Sequence, residues 1–222
     1  MAVVTLTGHL GSVGAIPAML AERLGYKLVG RELVVAAGAA LGWSAEEAGD
    51  FDERTGGLGR RLADFFDRVA LTQPEVGGMM SAFTMSYSDA AGIGRTAGER
   101  YFEELRHLVL AVADEGDVVI VGRGGQAILA DRADTTHVRI ACPVEERVRR
   151  VDRRDRAGLE AARALVEHSD REREAWHARY LDIDYRSPYH YSLVLNSGVL
   201  PEELVVKLIA EVVESRERAP VA

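Results

Sequence analysis

The chain has 222 residues, 47% of them hydrophobic, and a formal net charge of −8. That length suits one α/β domain with an appendage, the reading preferred, or two small domains, and the apolar share suffices for a full core. The acidic balance argues against a nucleic-acid binder that works by neutralising phosphates, while leaving room for a nucleotide site built on a few arginines. Cys142 is the only cysteine, so neither an intramolecular disulfide nor a cysteine-based zinc site can form, and its apolar setting before Pro143 predicts a buried structural thiol. No stretch reads as a signal peptide or a membrane span, which predicts a cytoplasmic protein.

Taken in order, Ala2 to Thr7 is a β-branched, apolar run that predicts a buried strand. Gly8 to Gly14 is a glycine loop, and Ala15 to Leu24 returns to helical spacing with Ile16, Leu20 and Leu24 on one face. Strand, glycine loop and helix make a phosphate-binding turn, where backbone N–H groups and a helix N-terminus face an anion. The strict loop signature is not met: Val13, Gly14 and Ala15 stand in the glycine, lysine and hydroxyl positions. The chain has only two lysines, Lys27 and Lys207, neither in the loop. His9 offers a substitute donor to phosphate there; a purely structural turn is the alternative.

Tyr26 to Val29 predicts a second strand and Arg31 to Leu41 a helix. Ser44 and Glu47 form a capping box that opens another helix. Leu58 to Leu71 is amphipathic through Leu62, Phe65, Phe66 and Val69, and Thr72 to Gly98 is an irregular insertion rich in glycine, serine and methionine. A helix from about Gly98 to Asp114 leads into Asp117 to Val121, whose continuous apolar character predicts a central parallel strand. That strand ends in Gly122-Arg123-Gly124-Gly125. Ligands of open α/β sheets collect at the carboxyl ends of strands, and an arginine there can hold a phosphate bidentately; a solvated arginine on a tight turn is the alternative. Thr136 to Cys142 predicts the next strand, and the charged segment from Pro143 to about Asp182 a helical pair. Its arginines either close over phosphates or form a solvated face of i,i+4 charge pairs. Tyr191 to Leu195 is a last strand, Pro201 to Ser215 a closing helix, and residues 216–222 a tail. His168 and His177 are poorly spaced on a helix for sharing a metal, and Asp182 with Asp184, near Tyr185, reads as an exposed loop pair, with a cation site as the alternative.

Several stretches together resemble the cytidylate kinase-like family, relatives of the nucleoside monophosphate kinases. They are TLTGHLGSVGAIPAMLAERLGY, KLVGRELVVAAGAALG, VVIVGRGGQAIL, VRIACPVEERVRRV, DREREAWHARY and YSLVLNSGVLPEELVVKLI. The resemblance runs nearly end to end and lies in the order and spacing of these pieces. It implies a three-layer P-loop-kinase-like fold: a five-stranded parallel sheet, helices on both faces and a helical lid at about 143–182, in one domain over 1–215 with the acceptor-side insertion at about 72–98. The activity implied is ATP-dependent phosphoryl transfer to a nucleoside monophosphate, cytidylate or its deoxy form. Gly11, Ser12 and Gly14 match the family's Gly-Ser-Gly-Gly loop and, with Gly8 and His9 added from the loop's own residues, would hold the ATP phosphates, with Ser12 also near Mg²⁺. Arg31, Arg123 and Asp170 would bind the acceptor, and the lid arginines Arg153, Arg171 and Arg173 would act in catalysis. Partners implied are nucleotide small molecules, with no nucleic acid and no membrane; a homodimer is left open.

Gly8 and Ala15 replace arginines that often flank the family's loop. Gly30 and Ser192 replace aspartates, and Trp176 a tyrosine. Turnover is therefore expected to be weak. A non-catalytic nucleotide-binding or structural relative is one alternative, and a kinase for another small acceptor is a second.

Overall fold

The computed structural model describes residues 2–49 and 96–218. The helix expected over Leu58 to Leu71, and the expected insertion up to residue 95, lie outside the described residues. The chain divides into two compact units, Met1–Gly30 with Val109–Ala222, and Arg31–Leu108.

The first unit holds the sheet. Its strands are β1 (Val3–Gly8), β2 (Lys27–Val29), β3 (Val118–Val121), β4 (Thr135–Ala141) and β5 (Leu193–Asn196). They lie in the order β2-β3-β1-β4-β5, every neighbouring pair parallel. All six residues of β1 are buried, as befits the central strand. Because strand side chains alternate, Val4 and Leu6 face one way while Thr5 and Thr7 face the other. On the first face, Val4, Leu6, Val119, Val138 and Ile140 pack with Ile16 and Leu20 of α1 (Ile16–Leu24). Val205, Val206, Ile209 and Val213 of the closing helix complete that core. Gly25, at φ +71, ends α1 in the left-handed conformation that glycine adopts without steric cost.

The second unit is helical: α2 (Arg31–Ala40), α3 (Ala45–Gly49) and the start of α4 (Ala97–Glu115). Ser44 and Glu47 make the expected box, with Ser44 N–H donating to Glu47 Oε2 at 2.8 Å and Glu47 N–H to Ser44 Oγ at 3.2 Å. A Cβ at Gly38 would overlap Ala48, so the close approach of α2 and α3 requires glycine. Thr96 and Glu99 form a second capping box at 2.7 and 3.3 Å, so α4 begins at Ala97. The T-x-x-E spacing there, unread in the sequence, is the signal that marks it.

In the first unit, α5 (Gly125–Ile128) lies on the second face of the sheet, where a Cβ on Gly125 would meet Thr5 at 3.1 Å. α6 (Val144–Asp155) and α7 (Leu159–Leu181) form the expected helical pair, packed through Val148, Val151, Ala162 and Val166 with Leu10 of the glycine loop against them. Pro143 is the N-cap of α6 rather than its first helical residue. The closing helix, α8, runs Glu202–Arg218, past Ser215 into the stretch expected as tail, because its apolar face keeps burying side chains to Val213 and the last turn follows as helix.

Candidate functional site

The loop after β1 is held by its own chain. Gly11 and Gly14 have φ of +82 and +49, and a Cβ at Gly11 would lie 2.9 Å from the Arg147 carbonyl oxygen. Ser12 is fully buried, its hydroxyl donating to His9 O at 2.8 Å. Arg147, 3% exposed, makes a two-pronged pair with Asp170 at 2.9 and 2.7 Å and donates to Cys142 O at 3.1 Å and Leu10 O at 3.4 Å. Arg150 donates to Ser197 O at 2.6 Å and Gly11 O at 3.4 Å, and Ser197 Oγ donates to Ser12 O at 2.7 Å. Consecutive loop carbonyls are thus satisfied by donors from α6 and the turn after β5. At the start of α1, Ala15 N–H faces the Glu202 carboxylate at 3.3 and 3.4 Å.

Beside the loop lies a buried polar cluster. Tyr185 OH and His9 Nε2 are 2.8 Å apart, and the His177 ring stacks on Tyr185 with centroids 4.6 Å apart. His177 Nδ1 is 2.8 Å from the Arg173 carbonyl, which can only accept, so Nδ1 carries the proton. Tyr191 OH donates to Tyr185 O at 2.6 Å, and the Arg139 guanidinium lies 5.9 Å from the Tyr185 ring centre. Burial above all, with the nearby Arg147, Arg173 and Arg139 charges, brings the His9 pKa down to about 4 against the opposing pull of Asp170. Burial likewise raises Tyr185 to about 12. At neutral pH His9 is uncharged, with Nε2 engaged by Tyr185. This differs from the expected phosphate donor, because the ring meets a tyrosine far along the chain.

The turn after β3 is the second component. Gly122, Arg123 and Gly124 have φ of 73, 62 and 67, three successive left-handed residues. For Arg123 that conformation costs on the order of 1–3 kcal/mol, the kind of strain that clusters at functional sites. Gly122 N–H donates to Leu6 O at 3.0 Å, tying the turn to the end of β1. Arg123 is 1% exposed, and its Nε donates to Gly30 O at 3.2 Å. The alternative of a solvated arginine is thereby excluded. Trp176 walls the turn, since a Cβ at Gly124 would lie 3.3 Å from its ring.

The other expected residues are dispersed. Arg153 is exposed and 3.5 Å from Glu146, Arg171 is exposed, and Arg173 is buried. Asp170 is joined to Arg147. Arg31 opens α2 in the second unit and is half-buried. Gly8 closes β1, and a Cβ there would overlap the Ser12 and Val13 side chains. Sequence reasoning missed Glu202, Tyr185 and Arg139, whose partners are far away in the chain and leave no local pattern.

The family model described as the cytidylate kinase-like family matches residues 3–199. This chain belongs to that family. A cytidylate kinase from Ignicoccus hospitalis is 35% identical over 104 residues, covering 46% of this chain and 59% of that protein. A uronate isomerase from Corynebacterium glutamicum is 33% identical over 110 residues, 49% of this chain and 21% of that protein. The match thus spans under two thirds of either curated relative. A solved structure of an uncharacterized protein from Eubacterium ventriosum superposes with a TM-score of 0.66 at 15% identity, covering 97% of this chain and 99% of that one, a likeness of fold. Among the described residues no helix is long and apolar enough to cross a membrane.

Proposed function

We propose that this protein transfers a phosphoryl group from ATP to a nucleoside monophosphate, cytidylate by family likeness, and does so slowly. The observation that carries the reading is Arg123, a fully buried guanidinium on a strained left-handed turn bonded to the end of β1. A buried arginine on a conformationally costly turn suits bidentate recognition of a phosphate, here the acceptor's. Gly11 to Gly14 supply the seat for the ATP phosphates. The Glu202 oxygens on Ala15 N–H stand in for phosphate oxygens and support the fit of an anion there. A magnesium ion held by Ser12 does not fit, because that hydroxyl is buried and given to His9 O. Arg153 and Arg171, exposed on the helical pair, are kept as the groups that screen the transferring phosphoryl; Arg173 and Asp170 reach substrate only if the pair opens. The slowness follows from the missing lysine and hydroxyl: losing one preorganised charge contact commonly costs ~10²–10³ in rate.

A second reading, a nucleotide binder without turnover, is favoured by the carboxylate already seated on the loop. Calorimetry with CMP tests the common part. Arg123→Lys keeps the charge but loses the planar fork, and should weaken CMP binding by ~1.5–3 kcal/mol. Unchanged affinity in a folded variant would remove Arg123 from the acceptor site.

A further inference from the structure

The strict phosphate-loop signature puts a lysine at position 14 and a hydroxyl at position 15, and this chain has Gly14 and Ala15 there. The space that a side chain at position 14 would take is occupied by Glu202. A Cβ on Gly14 would overlap Glu202 Oε1, and both carboxylate oxygens lie within 3.4 Å of Ala15 N. Gly14, in the left-handed region at φ +49, leaves the room that lets the carboxylate in. Glu202 is delivered by the first turn of α8, after Pro201, and that helix packs against α1 through the apolar core. The two N-termini are therefore held together by buried side chains, which keeps the carboxylate beside that amide.

We propose that Glu202 is a built-in competitor for the phosphate seat, a carboxylate that must leave Ala15 N–H before a nucleotide phosphate can use it. The proposal rests on the nucleotide reading above and adds a determinant of affinity to it. A carboxylate oxygen and a phosphate oxygen seek the same N–H donor. Two anions at such a distance repel, so occupancy by one excludes the other. The apparent dissociation constant then rises by the reciprocal of the fraction of molecules with the seat open. A seat open about one tenth of the time gives a tenfold weakening. In an ordinary loop the lysine attracts the nucleotide's phosphates; here a group of opposite charge occupies its place.

The test is calorimetry of the full chain with ADP, comparing wild type, Glu202→Gln, Glu202→Ala and Glu203→Gln. Glu203 is exposed in the same first turn, so its variant changes net charge equally without touching the seat. Both Glu202 variants are expected to bind ADP about tenfold tighter than wild type, with the alanine variant at least as tight as the glutamine variant. The Glu203 variant should stay within about twofold of wild type, since an exposed charge is well screened. A merely structural cap would lower the melting temperature of Glu202→Ala and leave ADP affinity unmoved. That result, or equal gains in the Glu202 and Glu203 variants, overturns the proposal while leaving nucleotide binding intact. Failure of all four proteins to bind ADP overturns the nucleotide reading and the proposal with it.

Discussion

The two faces of the central sheet are built from the same strands and behave as different materials. On one, Val4, Leu6, Val119, Val138 and Ile140 meet α1 and α8 in an apolar core. On the other, Thr5 Oγ1 lies 2.7 Å from His137 Nδ1, Thr7 donates to Gln126 Oε1 at 3.0 Å, and Arg139 follows in register beside Thr7. The apolar face gains stability from burial, which is non-directional and tolerant of substitution. The polar face is stable only where each donor meets its acceptor, and losing a partner costs the desolvation of the other. Buried Tyr185, with half-buried His9 and Arg139, continues that polar character to the carboxyl ends of the strands, where the loop and the Arg123 turn lie. One face holds the fold, and the other carries charge to the place where chemistry is proposed.

The largest losses are expected at one residue of the apolar core and one of the ion pair beside the loop. Leu20→Ala in the apolar core should cost ~2–5 kcal/mol in denaturant melts and leave CMP affinity unchanged in the folded fraction. Asp170→Ala strands the buried Arg147 guanidinium and should cost ~3 kcal/mol, because breaking a buried pair leaves an uncompensated charge. If Asp170→Ala is as stable as wild type, Arg147 is held by the Leu10 and Cys142 carbonyls alone.

His9 gives the next effect. Its folded pKa, about 4, lies below the ordinary 6.5, so between those values the unfolded chain binds more protons than the native one. Stability is complete above about pH 6.5 and falls as pH drops toward 4, by up to ~2–3 kcal/mol. Thermal melts at pH 7 and pH 4.5 should show the fall in wild type and a smaller one in His9→Gln; equal slopes would mean that His9 titrates normally.

Thr7→Val keeps the shape and removes the donor to Gln126, costing ~1–2 kcal/mol if Gln126 finds no other partner. The smallest change sits away from both faces: Ser44→Ala removes the cap of α3 and should cost ~0.5–1 kcal/mol in a melt.

These differences explain what could be read in advance. The strands were legible to within a residue or two because β-branched runs such as VVIV are local patterns, and Ser44 with Glu47 is a local pair. Arg123 was legible as a position, at the end of a central strand between glycines, though its burial was not. The Arg147–Asp170 pair and the contact between His9 and Tyr185 join residues distant in the chain, and no periodicity records such a meeting. Glu202 lies in the acidic first turn of the closing helix, a placement that the helix dipole alone accounts for. Only packing of α8 on α1 brings it to Ala15.

Purified protein with ATP, Mg²⁺ and CMP, assayed for ADP, tests the proposed activity most directly. CMP-dependent ADP formation is expected at well below the ~1–100 s⁻¹ of ordinary kinases, with a further reduction in Arg123→Lys. Turnover within that ordinary range would show that the missing lysine has been fully replaced, and absence of any CMP-dependent turnover would leave only the binding protein.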